Sequence, residues 1–343
     1  MAEEKKDVTI YDIAKEAGVS VATVSRVLNK SANVKSSKEK AVLKIIEKYS
    51  YVPSNLARGL SSKRSMTIGI IVPDIRNAYF ANLQTYCEIE AEKHGYTLLM
   101  ANTLGEKKHT IRAINSLMNK SIDGMIQLGG DVDRVEIDKE YLSVLDKISK
   151  KVPYVSTGNY ESLNAFRIKT NEYAGSRELT EYFIKKGHKD ILFIGGVEND
   201  MSTYEKWRAY MDTMREYGIR VSYDSILKCS YNMEDGYHCV MDFWKSAAQK
   251  PTAVICINEL AAIGVIHGAR ELGLSIPEDL SIAAFDDTYL SKLTMPQLTV
   301  MGYDYKKLAK ELINKMVSAI EGTAYENEEI EMKLTKRETV LTR

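Results

Sequence analysis

Arg26 and Asn29 stand one helical turn apart in the run Ser20-Val21-Ala22-Thr23-Val24-Ser25-Arg26-Val27-Leu28-Asn29, with the small residues Val21, Ala22 and Ser25 on the same face. Two good hydrogen-bonding side chains among small neighbours suit a helix laid against base edges in a major groove. A second set of reactive groups lies far along the chain. Asn77, Tyr79 and Phe80 follow one short apolar run, Asn258-Glu259 follows another, and Asp286-Asp287 a third. A single carboxylate after a strand reads as a helix cap. Recurrence of planar polar groups and aromatic rings at several strand ends is what a sugar or a nucleobase requires.

The elements that would hold the first set are legible. Thr9 is a candidate N-cap, and Ile10, Ile13, Ala14 and Ala17 repeat at helical spacing behind it. Gly18 takes a corner where a Cβ would be strained. Ser20 caps a second helix whose inner face is Val24, Val27 and Leu28. A third helix opens at Ser36 and carries Ala41, Val42, Ile45 and Ile46, with Tyr49, Tyr51 and Val52 expected to finish a three-helix core before Pro53 ends the unit. Ser54 to Leu60 has helical character but is too short to be stable alone, so it is expected to order only with support, and Ser61 to Ser65 reads as a linker.

From Thr67 the pattern alternates short apolar runs with helical stretches. Strands are expected at Thr67–Val72, Tyr96–Ala101, Gly124–Leu128, Tyr154–Ser156, Ile191–Ile194, Ala253–Ile257 and Ser281–Phe285. Helices are expected at Ala174–Lys186, Tyr204–Tyr217, Ala261–Leu272 and Tyr305–Ile320. The α/β alternation predicts doubly wound parallel sheets in two lobes, with ligands at the carboxyl ends of the strands.

At 343 residues the chain is long enough for two or three domains. Its net charge is zero, but residues 1–65 hold 13 basic and 7 acidic side chains against 34 and 40 in the remainder. A basic head on an acidic body places the phosphate-attracting field on the helical unit. The N-terminus has no signal-peptide pattern and no apolar run is long enough for a membrane span, so a cytoplasmic location is expected. The four cysteines have no metal-ligand spacing, the five histidines cluster with nothing, and Gly129-Gly130 and Gly195-Gly196 are isolated pairs rather than phosphate-cradling loops. Adjacent carboxylates such as Asp286-Asp287 point apart. Neither catalysis, a cofactor nor a metal is expected.

The motifs Tyr11-Asp12-Ile13-Ala14, Val24-Ser25-Arg26-Val27-Leu28-Asn29 and Pro53-x-Asn55-x-Ala57-Arg58-x-Leu60 resemble those of the lactose-repressor/galactose-repressor family of bacterial transcription regulators, and the likeness runs to about residue 322. The resemblance implies a helix-turn-helix head (1–52), a hinge helix and linker (53–65) and a two-lobed, periplasmic-binding-protein-like body (66–343). It implies that Val21, Ala22 and Arg26 face bases and that Thr9, Tyr11, Ser20, Thr23, Ser25 and Asn29 hold phosphates or set register. Leu60 would be a minor-groove wedge that opens the groove to Asn55, Ala57 and Arg58.

In the body, the polar loop after the first strand makes Asn77 a candidate effector contact, and the resemblance implies Tyr79, Phe80, Tyr231, Asn258, Asp286 and Tyr305 beside it. Lys206 stands where relatives carry a clamping Arg, and Gly158 where they often carry an Asp. A homodimer on a pseudo-palindromic operator is implied, controlled by a sugar or sugar phosphate, with no helical tetramerisation tail. Gly273-Leu274-Ser275-Ile276-Pro277-Glu278-Asp279-Leu280 and Pro296-Gln297-Leu298 are shared with the catabolite-control branch of the family. That branch implies an alternative signal, a phosphorylated partner protein. The docking positions of the branch correspond here to Lys306, Lys307 and Asn314.

Overall fold

A computed structural model describes residues 8–29, 34–49, 51, 64–247, 249–326 and 329–343, in two compact units that meet in sequence at Met66 and Thr67. The first unit holds α1 (Ile10–Glu16), α2 (Val21–Asn29) and α3 (Ser36–Tyr49). Thr9 and Asp12 form a reciprocal capping box: Thr9 Oγ1 accepts the Asp12 N–H at 3.4 Å and the Thr9 N–H donates to Asp12 Oδ2 at 2.8 Å. Gly18 turns the corner with φ +64°, and Ser20 Oγ accepts the Thr23 N–H at 3.2 Å. Ile13, Ala14, Val24, Val27 and Val42 are buried, with Ile10, Ala17, Leu28, Ile45, Ile46 and Tyr51 packed around them, as the helical period predicts. Tyr49 departs from expectation. It is 40% exposed, and its hydroxyl donates to Glu16 Oε2 at 2.7 Å beside the Lys48–Glu16 ion pair at 2.6 Å. A phenol with a carboxylate in reach gains more from that bond than from burying its polar tip. Val52 lies outside the described residues.

The body opens with an all-parallel sheet of β1 (Thr67–Val72), β2 (Thr97–Asn102), β3 (Gly124–Gln127), β4 (Tyr154–Ser156) and β5 (Ala165–Arg167), in the order β2-β1-β3-β4-β5. Helices α4 (Ala78–Lys93), α5 (Lys107–Met118) and α6 (Lys139–Ser149) connect its strands. The second lobe has the order β11-β10-β9-β8-β6-β7, formed by β6 (Ile191–Ile194), β7 (Ile226–Leu227), β8 (Ala253–Cys256), β9 (Ser281–Asp286), β10 (Thr299–Tyr303) and β11 (Met332–Thr335). Its helices are α7 (Glu172–Lys185), α8 (Met201–Glu216), α9 (Met233–Ser246) and α10 (Glu259–Glu271), while α11 (Tyr305–Glu321) returns to pack on α4 of the first lobe. Strands β3, β8, β9 and β10 are buried along their whole length, because helices cover both faces of each sheet.

Strands β5, β7, β10 and β11 escape the periodicity reading. β7 has only two residues, and β10 (Thr-Val-Met-Gly-Tyr) shows no alternation because both its faces are covered. A Cβ at Gly302 would stand 2.3 Å from Asp287 Cβ, so glycine is required there by the close approach of the turn after β9. β11 pairs antiparallel with β10, Met301 opposite Leu334, and the Arg343 N–H donates to the Lys186 carbonyl at 2.7 Å.

The chain passes between the lobes after Arg167, again between Tyr303 and Tyr305, and again after Gly322. Two of these connectors are zipped together: the Asn171 N–H donates to the Ile330 carbonyl at 3.1 Å and the Ile330 N–H to the Lys169 carbonyl at 3.0 Å. Among the described residues no helix is long and apolar enough to cross a membrane.

Candidate functional site

Between the lobes lies a cavity of about 820 Å³ whose walls are the loops at the carboxyl ends of the strands. Pro73 to Phe80 follow β1, Gly129 to Arg134 follow β3, Asp200 to Lys206 precede or open α8, and Tyr231, Asn258, Asp286 and Tyr303 lie at or beyond the ends of β7 to β10.

Lys206 sits at the centre of the deepest network. Its ammonium lies 2.7 Å from Glu172 Oε2, donates to Ser202 Oγ at 2.6 Å and stands 5.0 Å above the Phe285 ring. Tyr303 donates its hydroxyl to both Glu172 oxygens at 2.7 Å, and Thr170 Oγ1 adds a further bond to Glu172 at 3.0 Å. The charge that sequence comparison would aim at an effector is therefore already neutralised within the protein. Burial, and then the negative charge of Glu172, push the Tyr303 phenol well above its ordinary range, so it remains a donor.

A second pair spans the cleft. Arg134, beyond β3 in the first lobe, is ion-paired to Asp200, at the start of α8 in the second, and the Val135 N–H donates to the Asn199 carbonyl at 2.9 Å alongside. Asp200 also accepts the Tyr231 hydroxyl at 2.5 Å, and Thr203 Oγ1 lies 2.8 Å from the same hydroxyl. Asp133 faces the cavity next to this latch. Its acidity is weakened, to a pKa of about 7, by burial first and then by Asp200 and Glu172.

The turn after β9 is held from below. Glu259 is buried and accepts N–H bonds from Thr288 at 2.8 Å and Ser291 at 3.1 Å. Asp286 and Asp287 both have positive φ (107° and 64°) and their side chains part, as adjacent carboxylates should. Asp287 turns away to Arg337 at 2.6 Å and Thr335 at 2.9 Å, whereas Asp286 lines the cavity. Burial, with Glu259 adding to it, holds the Asp286 carboxyl well above the usual range.

Seven of the eight residues expected at the effector site line the cavity: Asn77, Tyr79, Phe80, Lys206, Tyr231, Asn258 and Asp286. Two of them also have structural duties. Asn77 caps α4 through the Tyr79 N–H, and Asn258 caps α10 through the Ala261 N–H while donating to the Tyr231 carbonyl at 2.9 Å. Tyr305 is not in the lining. It packs behind Tyr79, ring centroids 5.7 Å apart, with its hydroxyl on the Asp286 carbonyl at 3.2 Å, and Tyr303 takes the place in the cleft. Gly158 is buried, and a Cβ there would meet the Val132 carbonyl oxygen at 2.3 Å, so no side chain fits. Glu172, Asp200, Arg134 and Asp133 were missed, since Glu172 follows no expected strand closely and the other three lie several residues past the end of one, outside any recognisable pattern. The only signal was the Gly129-Gly130 pair, whose positive φ values aim the turn that carries Asp133 and Arg134.

In the head unit Ala22 and Arg26 are exposed on one side of α2, Tyr11 is 71% exposed at the start of α1, and Ser20 is exposed at the turn. Thr9 is exposed and Thr23 and Ser25 are half-buried, and Val21 is half-buried because part of it packs on the core. Asn29 is the last residue of α2. Asn55, Ala57, Arg58 and Leu60 lie outside the described residues.

A model of bacterial regulatory proteins of the lacI family matches residues 9–54, and one of a periplasmic binding protein-like domain matches residues 180–340. Catabolite control protein A of Priestia megaterium is 36% identical over 317 residues, covering 91% of this chain and 93% of that protein. The chain belongs to the lacI family of bacterial regulatory proteins. Catabolite control protein A of Staphylococcus xylosus is 33% identical over 91% of the chain and 93% of its own length. The fold of this lacI-family regulator matches that of a lac repressor dimer bound to operator and the anti-inducer ONPF, with TM-score 0.84 at 22% identity over 98% of this chain and all of that one. It also matches the transcriptional regulator CelR in complex with cellobiose, with TM-score 0.71 at 22% identity over 97% and 99%. It is a DNA-binding transcription regulator, with the head as its DNA-binding element and the two-lobed body as its periplasmic-binding-like domain.

Proposed function

We propose that this regulator is a cytoplasmic homodimeric repressor of carbohydrate-metabolism genes whose hold on DNA is set by a small hydroxyl-rich effector in the inter-lobe cleft. The reading divides the chain into a head (1–52), a hinge (53–65) and an effector body (66–343), and assigns it no catalytic role. It rests on one observation above the others: the Arg134–Asp200 pair joins the two lobes across a cavity walled by both. A ligand that fills such a space binds the closed arrangement better than the open one, and only that difference can shift an equilibrium. Two heads carried by a dimer then meet successive major grooves of a pseudo-palindrome, with Val21, Ala22 and Arg26 reading bases and Thr9, Tyr11, Ser20, Thr23, Ser25 and Asn29 holding the backbone. Asn55, Ala57, Arg58 and Leu60 would complete the contact in the minor groove.

The test is selection of an operator from random duplexes by the full chain, followed by fluorescence anisotropy. Arg26→Ala should weaken binding by about 1–3 kcal/mol and relax the preference at one position in each half-site. An unchanged selection profile removes Arg26 from the base-reading set. Control by a phosphorylated partner finds less support. Asn314, one of the three aligned docking positions, is engaged within the chain by His94 at 3.1 Å and Tyr325 at 3.4 Å.

A further inference from the structure

The charges of the cleft do not balance. Seven carboxylates and four basic side chains line it, and three of the basic groups are each committed to a carboxylate: Arg76 to Asp74 at 2.7 Å, Arg134 to Asp200, and Lys206 to Glu172 at 2.7 Å. Asp286 is the deepest of the rest. It is 8% exposed and lines the cavity, yet among the described residues its carboxylate receives no hydrogen bond and no ion pair. Its neighbours show that this chain does partner buried carboxylates elsewhere: Asp287 has Arg337, Thr335 and Ser291, and Glu259 has two backbone N–H groups. A buried carboxylate without donors is costly, so the arrangement is completed by a group that brings them.

We propose that the effector carries a protonated amine as well as hydroxyls, an amino sugar or comparable cationic polyol, with the ammonium seated on Asp286 and within the field of Asp133. This rests on the reading of the cleft as the effector site and names the chemistry of the ligand. Hydroxyls alone could donate to Asp286 but bring no charge to favour its ionised form, whereas an ammonium supplies three donors and the opposite charge together. Tyr79 and Tyr303, in edge contact at 5.4 Å, give the cleft aromatic surface of the kind that attracts cations. A phosphorylated ligand is less favoured, because three of the four cations in the lining, Arg76, Arg134 and Lys206, would have to leave a carboxylate to receive it.

The experiment is calorimetric titration of the full chain at pH 7 with three matched sugars, glucosamine, glucose and glucose 6-phosphate, and with the galactose set. The amino sugar of at least one set should bind about tenfold or more tightly than its neutral counterpart. Asp286→Asn, nearly isosteric, should cost the amino sugar far more affinity than the neutral sugar and so abolish that preference, and Asp133→Asn should reduce it, with circular dichroism verifying the fold of both. Neutral or phosphorylated sugars binding as tightly as the amino sugar, or a preference untouched in Asp286→Asn, overturns the ammonium assignment and leaves the cleft reading standing. Absence of binding by every member counts against the cleft reading itself, and this inference falls with it.

Discussion

The Lys206 ammonium and the Glu172 carboxylate lie 2.7 Å apart with side chains only 5% and 11% exposed, so this lysine of the cleft is neutralised before any ligand arrives. Breaking such a pair from one side leaves a buried charge alone. Lys206→Met should therefore destabilise the body by about 3–5 kcal/mol, and adding Glu172→Gln should restore most of the loss. Urea denaturation of the two variants beside the parent chain measures both; a double variant no better than the single would show that the pair is not the source of the cost.

Arg134 and Asp200 are a latch rather than a brace, since they belong to different lobes and keep 27% and 16% of their side-chain surface. Arg134→Ala should cost the closed arrangement about 1.5–3 kcal/mol, the range for hydrogen bonds to charged groups. The expected result in small-angle scattering is a larger radius of gyration for the ligand-free variant than for the parent. Equal radii would mean that other contacts hold the lobes together.

At Gly158 the Val132 carbonyl oxygen would be 2.3 Å from any Cβ. Both Gly158→Ala and Gly158→Asp should destabilise the body by about 3 kcal/mol, near the upper end for overpacking. A Gly158→Ala melting temperature equal to the parent's would show that the backbone of 132–158 yields easily.

Asp133 makes stability depend on pH in a definite direction. Its pKa rises from 3.8 to about 7 on folding, through burial and then through Asp200 and Glu172. Between those values the unfolded chain has lost the proton and the folded chain keeps it, so the contribution of this group falls as pH rises from about 4 to about 7 and is constant outside that window. The stability of Asp133→Asn relative to the parent should accordingly increase across the same interval. A constant difference from pH 4 to pH 7 would contradict the shift.

Much of the site was legible because its signals are local. A cap, a corner glycine and an apolar residue every third or fourth position act within a turn or two, so Thr9, Gly18, Ile13 and Val24 could be read directly, and the exposed side of α2 followed from them. The strand ends placed Asn77, Asn258 and Asp286 at the cleft for the same reason. Tyr305 is implied at the site by the resemblance alone, and the chain's own pattern does not correct it, because β10 is buried throughout and shows no alternation. Without the strand there was no register to say that Tyr303 ends it facing the cavity and that Tyr305 turns behind it.

By itself the sequence determined a reading head, a two-lobed α/β body and the loops where a ligand would sit, since helical period, strand alternation and caps depend on near neighbours. Only the tertiary structure decided the charge of the site. Arg134 meets Asp200 across 66 residues, Lys206 meets Tyr303 across 97, and Tyr303 meets Glu172 across 131. Such pairings are set by the sheet order and by the connectors that bring two lobes face to face, and no spacing along the chain encodes them. Which cations are already spent, and that Asp286 has no donor among the described residues, follows from that closure alone.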